Sequence, residues 1–437
     1  MRIQMHYGRK GLELDLPDDL EATVIKKRTM PVLPDPGQAV REAFARPVGS
    51  QTLTEAARGC RKICILICDI TRPVPNGIVL PALIQQLMET GVDPEGITVL
   101  VATGLHRPNE GEELRELLGS DWVLKTVRVV NHFARNEADH AFLGTTPSGM
   151  PVRADRRFTE ADLRLVVGLV EPHFMAGYSG GRKIIIPGIA HEETIRVLHR
   201  TNLLLAEGVT NCRLAGNPLH EELLRAAGMA GECLAVNTII DETRHLVFVN
   251  FGHLETSHEA AVRFARPFFE IPVSRKFETV ITSASGYPLD RNYYQTVKGM
   301  VGVLDILEPD GDIFIVSECS EGLGTKEYAD SQGRMISMGM EAFVRQTALK
   351  PAASIDEWET IMQIKAMRSG RIHLFSECLA AEDKVLTGIA LADSLQQALG
   401  EVMAAKKDKA VAVIPEGPYV IPFCRPAAGE GKFSEPD

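Results

Sequence analysis

The sequence contains no C-x-x-C pair. Its eight cysteines, Cys60, Cys64, Cys68, Cys212, Cys233, Cys319, Cys378 and Cys424, are dispersed along 437 residues. Dispersed thiols in a large chain exclude a disulfide scaffold and fit a reducing compartment, so a cytoplasmic protein is expected. No apolar run approaches the roughly 18 residues of a membrane span. The opening Met1-Arg-Ile-Gln-Met-His6 carries no apolar signal segment, so no membrane association is expected. Basic blocks are missing too, and a formal net charge of −11 argues against nucleic acid as a partner. No repeat of solenoid period is visible. What is present is the composition of an ordinary folded protein, 45% hydrophobic and 24% charged, long enough for two or three domains.

Strand-like and helix-like stretches alternate. The apolar run Ile63–Cys68, where Cys64 and Cys68 suit a buried strand, ends at the proline-broken turn Asp69-Ile-Thr-Arg-Pro73. A helical stretch near Leu80–Thr90 follows, then the β-branched run Ile97-Thr-Val-Leu-Val-Ala-Thr-Gly104. Thr126–Val130 and Leu163–Val170 repeat the theme, and Ala235–Gly252 predicts a hairpin around Asp241-Glu-Thr-Arg244. A second series starts at Phe277–Ser283, with a helix over Tyr293–Leu307, a strand at Asp312–Ser317, a helix near Ala392–Ala405 and a strand at Ala410–Ile414. This alternation predicts an α/β protein: two α/β domains with largely parallel sheets and an active site in the interdomain cleft. The domains are expected at residues 1–270 and 271–437, because two prolines in Arg266-Pro-Phe-Phe-Glu-Ile-Pro272 interrupt both periodicities. The tail from Pro426, rich in glycine, proline and charge, is expected to fray.

Ligands collect beyond the carboxyl ends of strands in open α/β sheets. Three polar clusters occupy such predicted ends: Asp69-Ile70-Thr71-Arg72, Thr103-Gly-Leu-His-Arg-Pro108, and Glu171-Pro-His-Phe-Met-Ala-Gly-Tyr-Ser-Gly-Gly-Arg-Lys183. In the third, successive N–H groups among Gly177, Gly180 and Gly181 can cradle an anion, or the loop is simply a tight turn. It is not a P-loop, since Gly181 is followed by Arg182, Lys183 and Ile184. A lysine such as Lys183 held against apolar residues can act as a nucleophilic amine.

Of twelve histidines, His106 and His173 follow predicted strands and could serve one substrate as an acid and base pair. His6, His132, His140, His245, His253, His258 and His373 are expected at the surface or in loops. His199 lies on a helix, where a structural role competes with a ligand role, and His191, His199 and His220 lack zinc spacing. In the second half, Tyr294 and Lys298 share one helical face, with Gln295 adjacent, which suits a carboxylate or else a solvated face.

Together these stretches resemble the nickel-pincer lactate racemase family. The matching residues are Asp69-Ile-Thr-Arg-Pro73, Gly104-Leu-His106, Glu171 through Lys183, Pro187-Gly188, His199, Tyr294-Gln-Thr-Val-Lys298, and Trp358 in Asp356-Glu-Trp-Glu359. They span nearly the whole chain. The resemblance implies a racemase or epimerase of a 2-hydroxy acid such as lactate, acting by hydride transfer through a 2-keto acid. It implies nickel in a Ni(II)-pyridinium-3,5-bisthiocarboxylate mononucleotide attached covalently to Lys183, with His199 as nickel ligand. Asp69, Ile70, Thr71 and Arg72 would hold the cofactor, His106 and His173 would be catalytic, and Tyr294, Gln295, Lys298 and Trp358 would bind substrate. The implied partners are the small 2-hydroxy acid and the enzymes that make the cofactor. Two readings of another class are a zinc-dependent hydrolase using His106, His173 and His199, and a non-catalytic carboxylate or nucleotide binder.

Overall fold

The computed structural model describes residues 1–425, so the expectation for the tail from Pro426 lies outside the described residues. The chain divides into two compact units: Thr29–Pro267, and Met1–Arg28 together with the stretch from Phe268 on.

The unit Thr29–Pro267 is built on a six-stranded sheet in the order Leu246–His253, Leu234–Ile240, Leu163–Leu169, Ile63–Cys68, Ile97–Ala102, Arg128–Asn131. All neighbours run parallel except the hairpin pair Leu234–Ile240 and Leu246–His253. Ile63, Cys64, Ile65, Leu66 and Ile67 are all buried, which is why this strand reads as a continuous apolar run rather than an alternation. One face packs Ile65, Ile67, Val99, Val101, Leu165 and Val167 against Val79, Leu80, Leu83 and Ile84 of the helix Asn76–Glu89. The expected strand Thr126–Val130 is displaced: Thr126 ends a helix from Asp121, and the strand is Arg128–Asn131.

The second unit carries six parallel strands in the order Ala390–Ala392, Gly370–Phe375, Leu307–Val316, Phe277–Ser283, Ala410–Ile414, Glu21–Val24. Its last strand corrects the expected division of the chain. Residues 1–28, expected with the first domain, belong here because Glu21–Val24 pairs with Ala410–Val413. The hairpin Arg2–Met5 and Leu12–Asp15 also puts Ile3, Met5 and Leu14 into a core with Ile281, Phe314, Val411 and Val413. The helix expected over Tyr293–Leu307 is shorter, Tyr293–Val301, and the strand after it starts at Leu307.

Candidate active site

In the sheet of Thr29–Pro267, the chain leaves Ile63–Cys68 toward Ile97–Ala102, whereas Leu163–Leu169 lies on the opposite side and leads to Leu234–Ile240. The loops after these two adjacent strands therefore diverge, the arrangement that opens a ligand crevice in doubly wound sheets. Asp69–Arg72 leaves the first strand and Glu171–Lys183 the second. The two loops are joined by an ion pair between the Arg72 guanidinium and the Glu171 carboxylate.

Asp69 is buried, 5% exposed. Its Oδ1 accepts from Thr71 Oγ1 at 2.5 Å and its Oδ2 lies 2.6 Å from His106 Nδ1. Burial works against ionising Asp69, but the hydrogen bond and charge of His106, helped by Thr71 and Arg72, outweigh it and hold the carboxyl below its usual range. Ile70 is fixed through its N–H, which donates to Asn109 Oδ1 at 3.3 Å. Asn109, buried and not foreseen, also donates from its side chain to Glu113 and bonds the Asn131 side chain through its own main-chain N–H and C=O, and so anchors the loop that carries His106.

The loop Glu171–Lys183 closes on itself. Pro172–His173 pairs antiparallel with Gly177–Tyr178, and Ser179 Oγ donates to Leu169 O at 2.7 Å. His173 is buried, and its Nδ1 accepts from the N–H groups of Met175 and Ala176, each at 3.2 Å. Arg182, 1% exposed, donates to Ala176 O at 2.7 Å and lies 3.1 Å from His258 Nε2. Burial lowers it to about 9. The glycines prove to serve the chain's own packing. Gly177 has φ +76°, and a Cβ there would meet Arg213 O at 2.1 Å; at Gly181, with φ +49°, it would meet the His258 ring at 3.1 Å.

Lys183 lies in the short helix Arg182–Ile185, half-buried, and its charge is felt by both His199 and Cys68. His199, at the end of the helix Glu192–Leu198, donates from Nδ1 to Ile195 O at 2.8 Å, so the neutral ring has its lone pair on Nε2. Burial, aided by Lys183 and opposed by the Ile195 bond, lowers this imidazole to about 4, so it is neutral at ordinary pH and chemically suited to ligate a metal. Among the described residues no three His, Cys, Asp or Glu side chains are grouped to hold a metal ion. His106, His173 and His199 are therefore not grouped as a zinc triad. Of the histidines expected at the surface or in loops, His132, which does lie in a loop, His140 and His258 are buried. Their partners, Asp155 and Ala190 O for His132, Asn136 O for His140 and Ser179 O for His258, explain how.

In the other unit, the Asn292 side chain caps the helix Tyr293–Val301 by accepting from Gln295 N at 3.1 Å. Thr296, Val297 and Met300 turn into the core, leaving Tyr294, Gln295 and Lys298 half-buried. Trp358, 7% exposed on the helix Glu357–Met367, donates from Nε1 to Tyr294 Oη at 2.9 Å. Burial, with the charges of Glu359 and Asp356, pushes the Tyr294 phenol well above its usual range. The neighbouring Glu359 is 1% exposed, and its Oε1, like Gln295 Oε1, is buried with no hydrogen-bond partner. Burial pushes Glu359 up to about 8, with Lys298 pulling it down and Asp356 pushing it up. Only its place beside Trp358 could have drawn notice to it.

The structure thus gathers Asp69, Thr71, Arg72, His106, Lys183 and His199 into one linked group, with His173 on the loop that Glu171 ties to Arg72. It gathers Tyr294, Lys298 and Trp358, with Gln295, into a second group in the other unit.

In the comparison with known proteins, the two groups of site residues fall in two different family domains. The lactate racemase N-terminal domain matches residues 7–210 and the lactate racemase C-terminal domain matches residues 273–422. A lactate racemase of Thermoanaerobacterium thermosaccharolyticum is 30% identical over 432 residues, 96% of this chain and 98% of the relative. A lactate racemase of Lactiplantibacillus plantarum is 30% identical over 387 residues, 88% of this chain and 90% of the relative. The solved lactate racemase apoprotein from the first organism superposes with a TM-score of 0.86 at 29% identity, covering 97% of this chain and all of that one, 100%. A Thermotoga maritima protein shares the fold, with a TM-score of 0.63 at 18% identity over 89% of this chain and 98% of its own.

Proposed function

The chain belongs to the lactate racemase family, and from that premise we propose that it is an isomerase that racemises or epimerises a small 2-hydroxy acid, with lactate as the representative substrate. The observation that carries the reading is the group at the diverging loops, where Asp69–His106 and Arg72–Glu171 adjoin Lys183 and His199.

The residues fit a tethered nickel-pincer nucleotide. A lysine lies beside a neutral imidazole with an Nε2 lone pair, and the single protein nitrogen suits a metal whose other donors come with the cofactor. Lys183 would carry the group, His199 would ligate nickel, and Asp69, Ile70, Thr71 and Arg72 would hold the nucleotide. When bound, the group supplies a reversible hydride acceptor for C2. The rest is the work of side chains. His106 and His173 attend the hydroxyl proton, because mirror-image substrates present the hydroxyl to different sides. Lys298 and Gln295 bind the carboxylate by charge and hydrogen bond, with Tyr294 and Trp358 as the wall. The protein would receive its cofactor from the enzymes that make it, in the cytoplasm, where its eight free thiols stay reduced.

The test is direct. Protein co-expressed with the cofactor-making enzymes is given single enantiomers of 2-hydroxy acids deuterated at C2. The expected result is a racemate or epimer that keeps deuterium at C2; no inversion of any acid by loaded protein would overturn the reading. Zinc with unchanged protein mass would favour a hydrolase, and ligand binding without metal, added mass or turnover would favour a non-catalytic binder.

A further inference from the structure

Glu359 presents an acceptor that nothing around it satisfies. It lies next to Trp358 on the helix Glu357–Met367, is 1% exposed, and its Oε1 has no hydrogen-bond partner among the described residues. It is close to Tyr294 and Lys298 on the helix Tyr293–Val301, since Tyr294 feels its charge and it feels that of Lys298. The other donors nearby are committed elsewhere. Trp358 Nε1 donates to Tyr294 Oη at 2.9 Å, and the Tyr294 phenol in turn bonds Asp356. Thr325 Oγ1 also donates to Asp356. Tyr328, whose phenol feels Glu359, donates to Gln363 Oε1 at 3.2 Å and accepts from Gln332 Nε2. Gln295 repeats the pattern, with its Oε1 buried and unpartnered.

A buried acceptor without a donor carries a penalty that a hydrogen from a ligand removes. What a 2-hydroxy acid brings can be counted. Its carboxylate has no hydrogen, and the racemase reading gives it to Lys298 and Gln295. Its 2-hydroxyl has one hydrogen, which the same reading gives to His106 and His173. The methyl group of lactate has none to donate, so lactate leaves Glu359 unsatisfied. A second carboxylate would also bring no hydrogen, and would lie against the buried acids Glu359 and Asp356. An ammonium would add a positive charge beside Lys298 and would need an ionised Glu359, which burial opposes. A hydroxyl donates and is neutral. It also accepts in return from Glu359, which burial keeps protonated up to about 8.

We infer that Glu359 is a specificity residue: the acid this protein inverts carries a second hydroxyl beyond C2, at C3 or C4, which donates to Glu359 Oε1. This deepens the racemase reading and rests on it. The roles of Lys298, Gln295, Tyr294 and Trp358 are unchanged, and Gln295 Oε1 is the acceptor for a further hydroxyl on a longer chain.

The experiment uses the cofactor-loaded enzyme, with loading checked by intact mass, and acids that differ by one oxygen. These are 2,3-dihydroxypropanoate against lactate, and 2,4-dihydroxybutanoate against 2-hydroxybutanoate. At least one dihydroxy acid is expected to exceed its counterpart in kcat/KM by roughly 10–100-fold. Glu359→Leu removes the acceptor and should bring that ratio close to unity, chiefly by loss on the dihydroxy acid. Glu359→Gln keeps a carbonyl oxygen in place and should keep most of the ratio. A ratio of two substrates on one enzyme does not depend on how much of it is loaded or folded, so a merely structural Glu359 would leave it unmoved. Calorimetric titration of the same pairs into the same protein should show tighter binding of the dihydroxy acid, lost in Glu359→Leu. Equal kcat/KM within both pairs, the result if a water satisfies Oε1, or a ratio indifferent to Glu359→Leu overturns the inference. If no acid is inverted at all, the racemase reading fails, and the calorimetric preference still decides whether Glu359 selects a hydroxyl.

Discussion

The two polar groups treat buried charge in opposite ways. In Thr29–Pro267, Asp69 is met by His106 and Thr71, and Arg72 by Glu171. In the other unit, Gln295 Oε1 and Glu359 Oε1 are buried without a partner, and Glu359 is pushed up to about 8. A satisfied polar network holds its members in one geometry; an unsatisfied one carries a penalty until a ligand supplies the missing partner. The first group has its polar partners in place, and the second has two acceptors that a ligand would have to satisfy.

Removing the tether should have the largest effect on this contrast. Lys183→Ala is expected to abolish the covalent adduct in intact mass spectra and to reduce turnover to background. An adduct of equal mass on the variant would refute the assignment. Next comes the loss of an imidazole. His106→Ala and His173→Ala, each loaded and folded, should lose roughly 10²–10⁴-fold in kcat/KM. Nickel content and melting, measured alongside, separate this from lost cofactor or misfolding, and a parental rate in either variant removes that residue from the mechanism.

The second group should respond in binding rather than in loading. Lys298→Ala removes a charge-assisted bond worth about 1.5–3 kcal/mol, so KM for the 2-hydroxy acid should rise roughly 10–100-fold with the cofactor mass unchanged. Loss of the adduct with substrate affinity intact would reverse the roles assigned to the two groups.

The smallest effect is on stability. Glu359 holds its proton to about 8 in the folded chain, against an ordinary value of 4.5. The folded state therefore binds a proton that the unfolded state releases. That contribution is fully present below the unfolded value and is lost as pH rises through the folded one. Glu359→Gln should flatten this decline, by on the order of 1 kcal/mol between about pH 5 and about pH 9 in urea unfolding. An unchanged pH slope would show that Glu359 is ionised in the folded chain.

How much of this could be read in the sequence depends on where each residue finds its partners. Ile63–Cys68, Ile97–Ala102 and Leu163–Leu169 were legible because strands covered on both faces are apolar at nearly every position, here all but Thr98 and Arg164, and burial then needs no knowledge of the neighbours. Leu234–Ile240 and Leu246–His253 were legible because a short polar turn joins two β-rich runs. Glu21–Val24 was not: it is a four-residue strand with no fully buried residue, defined by a partner near Ala410. The same reason hid the environment of His132, whose ring is satisfied by Asp155 and Ala190. In the candidate site, residue types and spacing pointed to Asp69, His106, His173 and Lys183. They could not show that Asp69 reaches across to His106, nor that the glycines of the loop answer to Arg213 and His258 rather than to a ligand.

The pairing of Glu21–Val24 with Ala410–Val413 also sets an order of events during synthesis. The ribosome delivers Glu21–Val24 long before that neighbour exists, and every strand of the six-stranded sheet in Thr29–Pro267 emerges in between. That unit can complete its sheet while residues 1–28 still wait. A nascent chain that has passed Phe277–Ser283 but not yet reached Ala410 exposes one whole edge of that strand, since Ala410–Ile414 is its partner on that side. Stalling within that interval therefore leaves that edge open to edge-to-edge association.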